Sequence, residues 1–295
     1  MSGRGKSDAS MALIEAAQEI LAEIAPSTVR AVAYQLFNRK LIPDMSKSST
    51  KRVSEQLVWA RENDLIDWDD IVDETRAPEY NTGWISASGA IKSAVATYRR
   101  DNWQEQPNRL LVISEKGTVA GTLRPVLEEY GVDLVTMHGF GSATALHDLA
   151  EMTHGTRPLV MLYVGDFDPS GMHMSEVDLP QRLAEYGAAD DVHIQRVALD
   201  ADDLDDLGDA CFSAHDKKGD EHKKGDARYR WFIENHGVVC AELDALSPAV
   251  LRARLEAAIQ SYMDMDAWNH SLTIEAAEIE SMQKFHQQWN STLNQ

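Results

Sequence analysis

The sequence predicts an α/β protein in which a helical N-terminal part precedes a mainly parallel βαβ sheet. Three observations carry that prediction. Two apolar runs, Leu110-Leu-Val-Ile-Ser-Glu115 and Leu159-Val-Met-Leu-Tyr-Val-Gly-Asp166, each end abruptly in acid, and uninterrupted runs of this length read as strands covered on both faces. From Arg109 onward, strand-like and helix-like segments alternate, which is the pattern of βαβ units. Before that point the apolar residues recur at helical spacing instead.

Taken in order, residues 1–10 are small and polar and are expected to lack structure. A helix is expected over 11–24 with Ser10 as its cap, and a second over 28–38, stopped near Pro43. Ser49 or Thr50 caps a third that runs to about Asn63, with Val53, Leu57 and Val58 inward. A short extended segment over 65–68 completes a winged-helix-like α domain whose third helix would enter a groove of DNA. A generic helical domain with a wet basic surface fits the same pattern. Strands are expected at 110–113, 132–137, 159–164 and 192–197, and helices at 118–130, 142–152 and 175–187. Residues 200–226 are acidic and Gly-containing and read as a mobile loop. A further helix lies within 244–262, with Leu251, Leu255 and Ile259 inward. The tail over 263–295 is a mixed polar helix carrying Trp268, Met282, Phe285 and Trp289. The resulting division is a tail and helix (1–25), a helical domain (26–105), a sheet domain (106–262) and a helical tail (263–295).

With 295 residues, 43% hydrophobic and 26% charged, the chain is long enough for about two domains with sizeable cores. No apolar stretch has the length of a membrane span and no signal-peptide core is present, so a cytoplasmic, membrane-free protein is expected. Cys211 and Cys240 are the only cysteines, which excludes a disulfide framework and a four-cysteine zinc site. The formal net charge of −20 opposes indiscriminate coating of nucleic acid. Between Thr28 and Arg61, however, seven basic residues stand against two acidic ones, a local positive patch on a negative body. Lys47, Lys51, Arg52 and, further on, Lys116 are the candidate DNA contacts.

Ligand chemistry in parallel sheets collects outside the carboxyl ends of the strands, where Glu115, Asp166 and Asp168 would sit. Three carboxylates there repel one another unless a cation joins them, and the economical reading is a Mg²⁺ site, with Mn²⁺ as a substitute. The bland reading is two strand ends followed by polar turns, since Asp is common in turns. Glu242 and Asp244 could approach the same metal; capping of the following helix at Ser247-Pro248 is the simpler role. His173, just past the acidic motif, reads as a water or phosphate ligand or, more simply, as polar packing. Lys217, Lys218, Lys223 and Lys224 are largely cancelled by acidic neighbours.

Ser114-Glu115-Lys116, Gly139-Phe-Gly141 and Asp166-Phe-Asp168-Pro-Ser-Gly171, in this order, resemble the Toprim domain of topoisomerases, primases and some nucleases. The spacing looks most like the A subunit of topoisomerase VI (type IIB) and the related meiotic double-strand-break transesterase. Thr28-Val-Arg30-Ala-Val-Ala-Tyr34 is similar to the Arg-x-x-x-Tyr of that family, and Ala241-Glu242-Leu-Asp244-Ala-Leu246 resembles the end of its Toprim region. The match covers roughly residues 26–262, as in a compact, stand-alone version. Ser170 departs from the aromatic the topoisomerase often carries.

The resemblance implies that Tyr34 attacks double-stranded DNA and becomes joined to the 5′ end. Arg30 and Glu115 would assist, and Mg²⁺ would be held by Glu115, Asp166 and Asp168. It also implies a homodimer in which the tyrosine of one subunit works with the metal of the other. Directional duplex passage would need a separate ATPase subunit of the B type. Wheel geometry places Tyr34 roughly 150° from the centre of the apolar face formed by Val29, Val32, Ala33 and Leu36, on the side of Arg30. Two alternatives stay open: a hydrolytic Toprim nuclease with Tyr34 as a passenger, and a non-catalytic DNA-binding protein.

Overall fold

The computed structural model describes residues 6–71, 83–137, 143–155, 157–188, 192–215 and 226–293. It begins with three helices whose starts are set by side-chain caps. Ser7, rather than Ser10, caps α1 (Asp8–Ile24), so the helix begins inside the stretch expected to be unstructured. Thr28 caps α2 (Val29–Asn38), its hydroxyl accepting from the Ala31 amide at 3.1 Å. Ser46 caps α3 (Lys47–Glu62), ahead of the Ser49 or Thr50 start expected from sequence. Each cap satisfies an amide that the first turn leaves unpaired.

Ile14, Ala17, Leu21, Val32, Leu36, Val53, Leu57 and Ala60 form one buried cluster between these helices. On α3 the inward stripe is Val53, Leu57 and Ala60, at helical spacing, and Val58 is exposed. The expectation of Val58 in the core fails because it lies about 100° round the helix from Leu57. The extended wing expected over 65–68 is also not formed. Asp67 accepts from the Asp69 amide and winds the chain into a 3₁₀ turn, Trp68–Asp70, before Ile71 bridges to Ser27. A fourth helix, α4 (Ala87–Thr97), follows a Ser86 cap.

The sheet has the order β2-β1-β3-β4, all parallel, from β1 (Arg109–Ser114), β2 (Asp133–Thr136), β3 (Leu159–Val164) and β4 (Val192–Ala198). Every residue of β3 is buried, as the continuous apolar run requires. Alternate residues serve opposite faces. Val112, Val160, Leu162 and Val164 pack with α5 (Ala120–Tyr130) and α11 (Pro248–Ser261), the latter through Leu251, Leu255 and Ile259 as expected. Leu111, Ile113, Met161 and Tyr163 face α6 (Ala143–Thr153) and the helix entering at Pro169. That helix runs as α7 (Pro169–His173), a π turn over Met174–Asp178, and α8 (Leu179–Glu185).

Where the acidic stretch was expected to be a mobile loop, its described part is ordered. It contains α9 (Asp203–Leu207) and β5 (Phe212–Ser213), and after α10 (Ala227–His236) the short β6 (Val239–Cys240) pairs antiparallel with β5. Asp203 is buried and paired with Arg254. The expected Lys217, Lys218, Lys223 and Lys224 and the Gly139-Phe-Gly141 motif lie outside the described residues. The tail forms α12 (Met265–Leu293), which packs along α4 and places Trp268 against Trp103 and Tyr130, each pair with ring centroids 6.0 Å apart. Among the described residues no helix is long and apolar enough to cross a membrane.

Leu162 is fully buried on the sheet face that packs against α5 and α11. Leu162→Ala is therefore expected to cost about 2–5 kcal/mol through lost burial and the cavity left behind. Urea unfolding checks this, and a loss below about 1 kcal/mol would contradict the packing described.

Candidate functional site

Strand register creates the site. Ser114 of β1 pairs with Val164 of β3, so the residues just beyond, Glu115 on one side and Gly165-Asp166 on the other, emerge next to each other at the carboxyl rim. The turn after β3 is held open by a close approach. A Cβ on Gly171 would collide with the carbonyl oxygen of Asp166, so glycine alone fits there without moving the loop. Asp168 points back into the following helix, its Oδ1 accepting from the Ser170 and Gly171 amides at 2.9 and 2.8 Å. This is the N-cap arrangement, with Pro169 in the first turn, where its missing N–H costs nothing.

A second segment closes over the acids. Phe167 and Ala241 exchange backbone hydrogen bonds at 3.0 and 2.9 Å, which brings Glu242, Leu243 and Asp244 to the same rim. The Leu243 amide donates to Asp166 Oδ1 at 2.7 Å. The Lys116 ammonium reaches the same oxygen at 2.7 Å and Asp244 Oδ2 at 3.4 Å. The Lys116 side chain is 22% exposed and is held by two carboxylates. Glu242 and Asp244 do not cap the next helix as expected, since Ser247 receives no help from them. They bind Arg30 instead, Asp244 Oδ2 forming an ion pair with Arg30 Nε at 3.1 Å and Glu242 accepting from its Nη2.

Tyr34 departs most from expectation. It does leave the core of its own three helices, and the Arg30 guanidinium lies 5.7 Å from its ring centre. It is nevertheless buried, 5% exposed, because Ala210 and Ala245 of the sheet domain cover that face. The wheel describes one helix and carries no information about what a distant segment lays over its polar side. Burial raises the Tyr34 phenol above its ordinary pKa, the charge of Arg30 opposing and Asp244 adding to the rise. Lys47, Lys51 and Arg52 are exposed on α3, with Lys51 paired to Glu55 across one helical turn at 3.8 Å. His173 is packed, its ring edge against Trp231.

The electrostatics are those of acids crowded out of water. Burial, then the charges of Asp166 and Asp168, push the Glu115 carboxyl from 4.5 to about 7. Burial also pushes Asp166 up, while Lys116 and the Leu243 amide pull it down. For Lys116, burial works against the charge, but Asp166 and Asp244 outweigh it and hold the ammonium more firmly protonated than usual.

Arg30, Glu115, Lys116, Asp166, Glu242 and Asp244 line an open cleft of about 400 Å³. Clefts of about 490 and 480 Å³ lie against α1–α3 and between α2 and α9, but their walls do not include the acids of the sheet rim. Carboxylate oxygens suit a hard divalent cation, and the upward push on Glu115 is the repulsion a cation would relieve. In kind and charge, therefore, the acids fit. As the side chains lie, however, Asp168 serves amides and Asp166 serves Lys116, and among the described residues no three His, Cys, Asp or Glu side chains are gathered to hold a metal ion. Comparison with protein-family models and with curated proteins returns no match.

The raised Glu115 pKa has a sign that can be tested. Between pH of about 4.5 and 7 the folded chain keeps a proton the unfolded chain has lost, so this group's contribution to stability falls as pH rises through that window. Glu115→Gln is expected to remove the fall and to be more stable than the parent at pH 8 by on the order of 1–3 kcal/mol. Urea midpoints of both proteins at pH 5 and pH 8 measure it, and equal midpoints at pH 8 would show Glu115 to be unstrained.

Proposed function

We propose that this chain is a divalent-cation-dependent DNA strand-cleaving protein of the topoisomerase VI A type, with Tyr34 as nucleophile. The observation that carries the reading is the meeting of Arg30 and Tyr34, one helical turn apart on α2, with the acid-bearing rim through Asp244 and Glu242. Two segments nominated separately by the sequence as halves of one chemistry are neighbours in space. The exposed Lys47, Lys51 and Arg52 on α3 would meet backbone phosphates and hold the duplex, which is the part of recognition that carries no sequence information.

In this reading Tyr34 Oη forms a bond to phosphorus as the bond from phosphorus to O3′ breaks, leaving a 5′-phosphotyrosyl link and a 3′-hydroxyl. One phosphodiester replaces another, so resealing needs no external energy source. Arg30 places a permanent cation beside the attacking oxygen and the phosphate. The proton that leaves Tyr34 Oη ends on O3′, carried through water at the open rim, while Glu115 would act as a carboxylate beside the phosphate. A divalent cation held by Glu115, Asp166 and Asp168 would supply stabilisation of charge on the phosphate oxygens. A homodimer and a separate ATPase subunit for directional duplex passage belong to the same proposal; for the tyrosine of one chain to serve the acids of the other, the contact between Tyr34 and Ala245 within one chain would have to open.

One observation favours a second reading. Tyr34 is covered and its phenol is harder to ionise than usual, whereas Glu115 is poised to activate water. This supports hydrolysis at the acidic rim over attack by Tyr34.

Supercoiled plasmid incubated with the protein and Mg²⁺ or Mn²⁺, quenched with detergent and run with and without protease, separates the two. Tyrosine chemistry predicts protein-linked DNA that is released only by protease and disappears in Tyr34→Phe. Arg30→Ala should slow its formation on the order of 10²–10³-fold. Nicking that persists in Tyr34→Phe but is lost in Asp166→Ala would establish hydrolysis, and intact plasmid throughout would sink both.

A further inference from the structure

The guanidinium of Arg196, on β4, is spread across the turn that carries the acids. Nε donates to the Leu199 carbonyl at 2.5 Å, Nη1 to the Gly171 carbonyl at 3.2 Å and to Ser175 Oγ at 2.5 Å, and Nη2 to the carbonyls of Gly165, at 3.3 Å, and Asp166. Five N–H donors thus have five acceptors, the full capacity of the fork. Three of those acceptors belong to one turn. Gly165 and Asp166 precede Asp168, and Gly171 follows it. The guanidinium carbon lies 5.1 Å from the ring centre of Tyr163, the residue opposite Arg196 in the strand register.

What Arg196 does not touch matters as much. Among the described residues no carboxylate is a hydrogen-bond or ion-pair partner of this guanidinium, although Glu115, Asp166 and Asp168 surround the same turn. A cation that merely neutralised the acids would reach their oxygens, as Lys116 does. Arg196 instead ties the backbone on both sides of Asp168, next to the glycine that allows the close approach of Gly171 to the Asp166 carbonyl. Its charge is left to act on the rim through space.

Resting on the strand-cleaving reading, we infer that Arg196 is the positioning residue of the acidic site, setting the distance and direction of Asp166 and Asp168 by clamping the carbonyls of residues 165, 166 and 171. A lysine cannot substitute, because it offers three donors from one point rather than five in a plane. Such supporting contacts commonly tune metal affinity by about 10–100-fold.

The test uses the full chain with Arg196→Lys and, as a milder variant, Ser175→Ala, which removes one acceptor. Amide exchange of the metal-free proteins should be faster at Ser170 and Gly171 by about tenfold in Arg196→Lys and by less in Ser175→Ala, with Val112 and Val160 unchanged. In plasmid cleavage the Mn²⁺ concentration for half-maximal rate should rise about 10–100-fold in Arg196→Lys, while the rate at saturating Mn²⁺ returns to that of the parent. Unchanged exchange at Ser170 and Gly171 overturns the inference, as does a lower maximal rate with unaltered Mn²⁺ dependence. If the parent does not cleave at all, the strand-cleaving reading fails, and exchange alone then decides whether Arg196 holds the turn.

Discussion

Carboxylates taken out of water at one rim of a sheet are unfavourable unless cations are buried with them, and most of the site follows from that constraint. Glu115, Asp166, Glu242 and Asp244 line one cleft because the register of β1 and β3 and the Phe167–Ala241 bridge bring their segments to the same rim, while Asp168 beside them turns into the helix that follows. Lys116 and Arg30 answer the charge directly. Arg196 answers it at one remove, by fixing the backbone under the acids. The balance is incomplete at Glu115, which among the described residues has no ion-pair partner and relieves its neighbours by keeping a proton toward neutral pH.

Strong, continuous patterns were the legible part of the sequence. The central strands β1 and β3 were readable because parallel strands covered on both faces are apolar almost throughout, and Leu159–Val164 is buried at every position; β2 and β4, at the edges of the sheet, carry polar residues and were readable from the alternation with helices. The acids at their ends were readable because the strand ends set them. The helix α4 was missed because Ala, Gly and Ser dominate it and none of its side chains is buried, so it has no apolar stripe to detect; its Ser86 cap was the available signal. Val58 and the cap positions of α1 and α3 erred by a few residues, because several serines in a row offer equivalent starts and only packing selects one.

Pairings between distant segments were not legible. Nothing local to Lys116 shows that Asp244, far along the chain, will share it with Asp166. Glu242 and Asp244 sit where a helix cap would be expected, and their use by Arg30 depends on the three-helix part lying against the rim. Arg196 gave no signal either, as an arginine in a half-buried strand reads as an edge or surface residue until the carbonyls it gathers are seen. For the same reason the acidic stretch after β4 looked like a loop, whereas Asp203 is buried against Arg254.

Tyr34 shows how magnitudes bear on mechanism. The pairs joining Arg30 to Asp244 and Glu242 have Arg30 half exposed, and such pairs contribute roughly 0–1 kcal/mol. A phosphate can therefore take over the guanidinium at little cost. Uncovering Tyr34 is harder, because an aromatic side chain of this size loses roughly 1.5–3 kcal/mol of burial when exposed, and Ala210 and Ala245 are the residues that must move away. Attack by Tyr34 on a strand thus requires the three-helix part to shift from the sheet, or DNA binding to supply the difference through α3. Attack by water beside Glu115 requires neither, since that carboxyl already lines an open cleft. The choice between the two chemistries therefore rests on whether contacts to the duplex along α3 outweigh the packing that now hides the phenol.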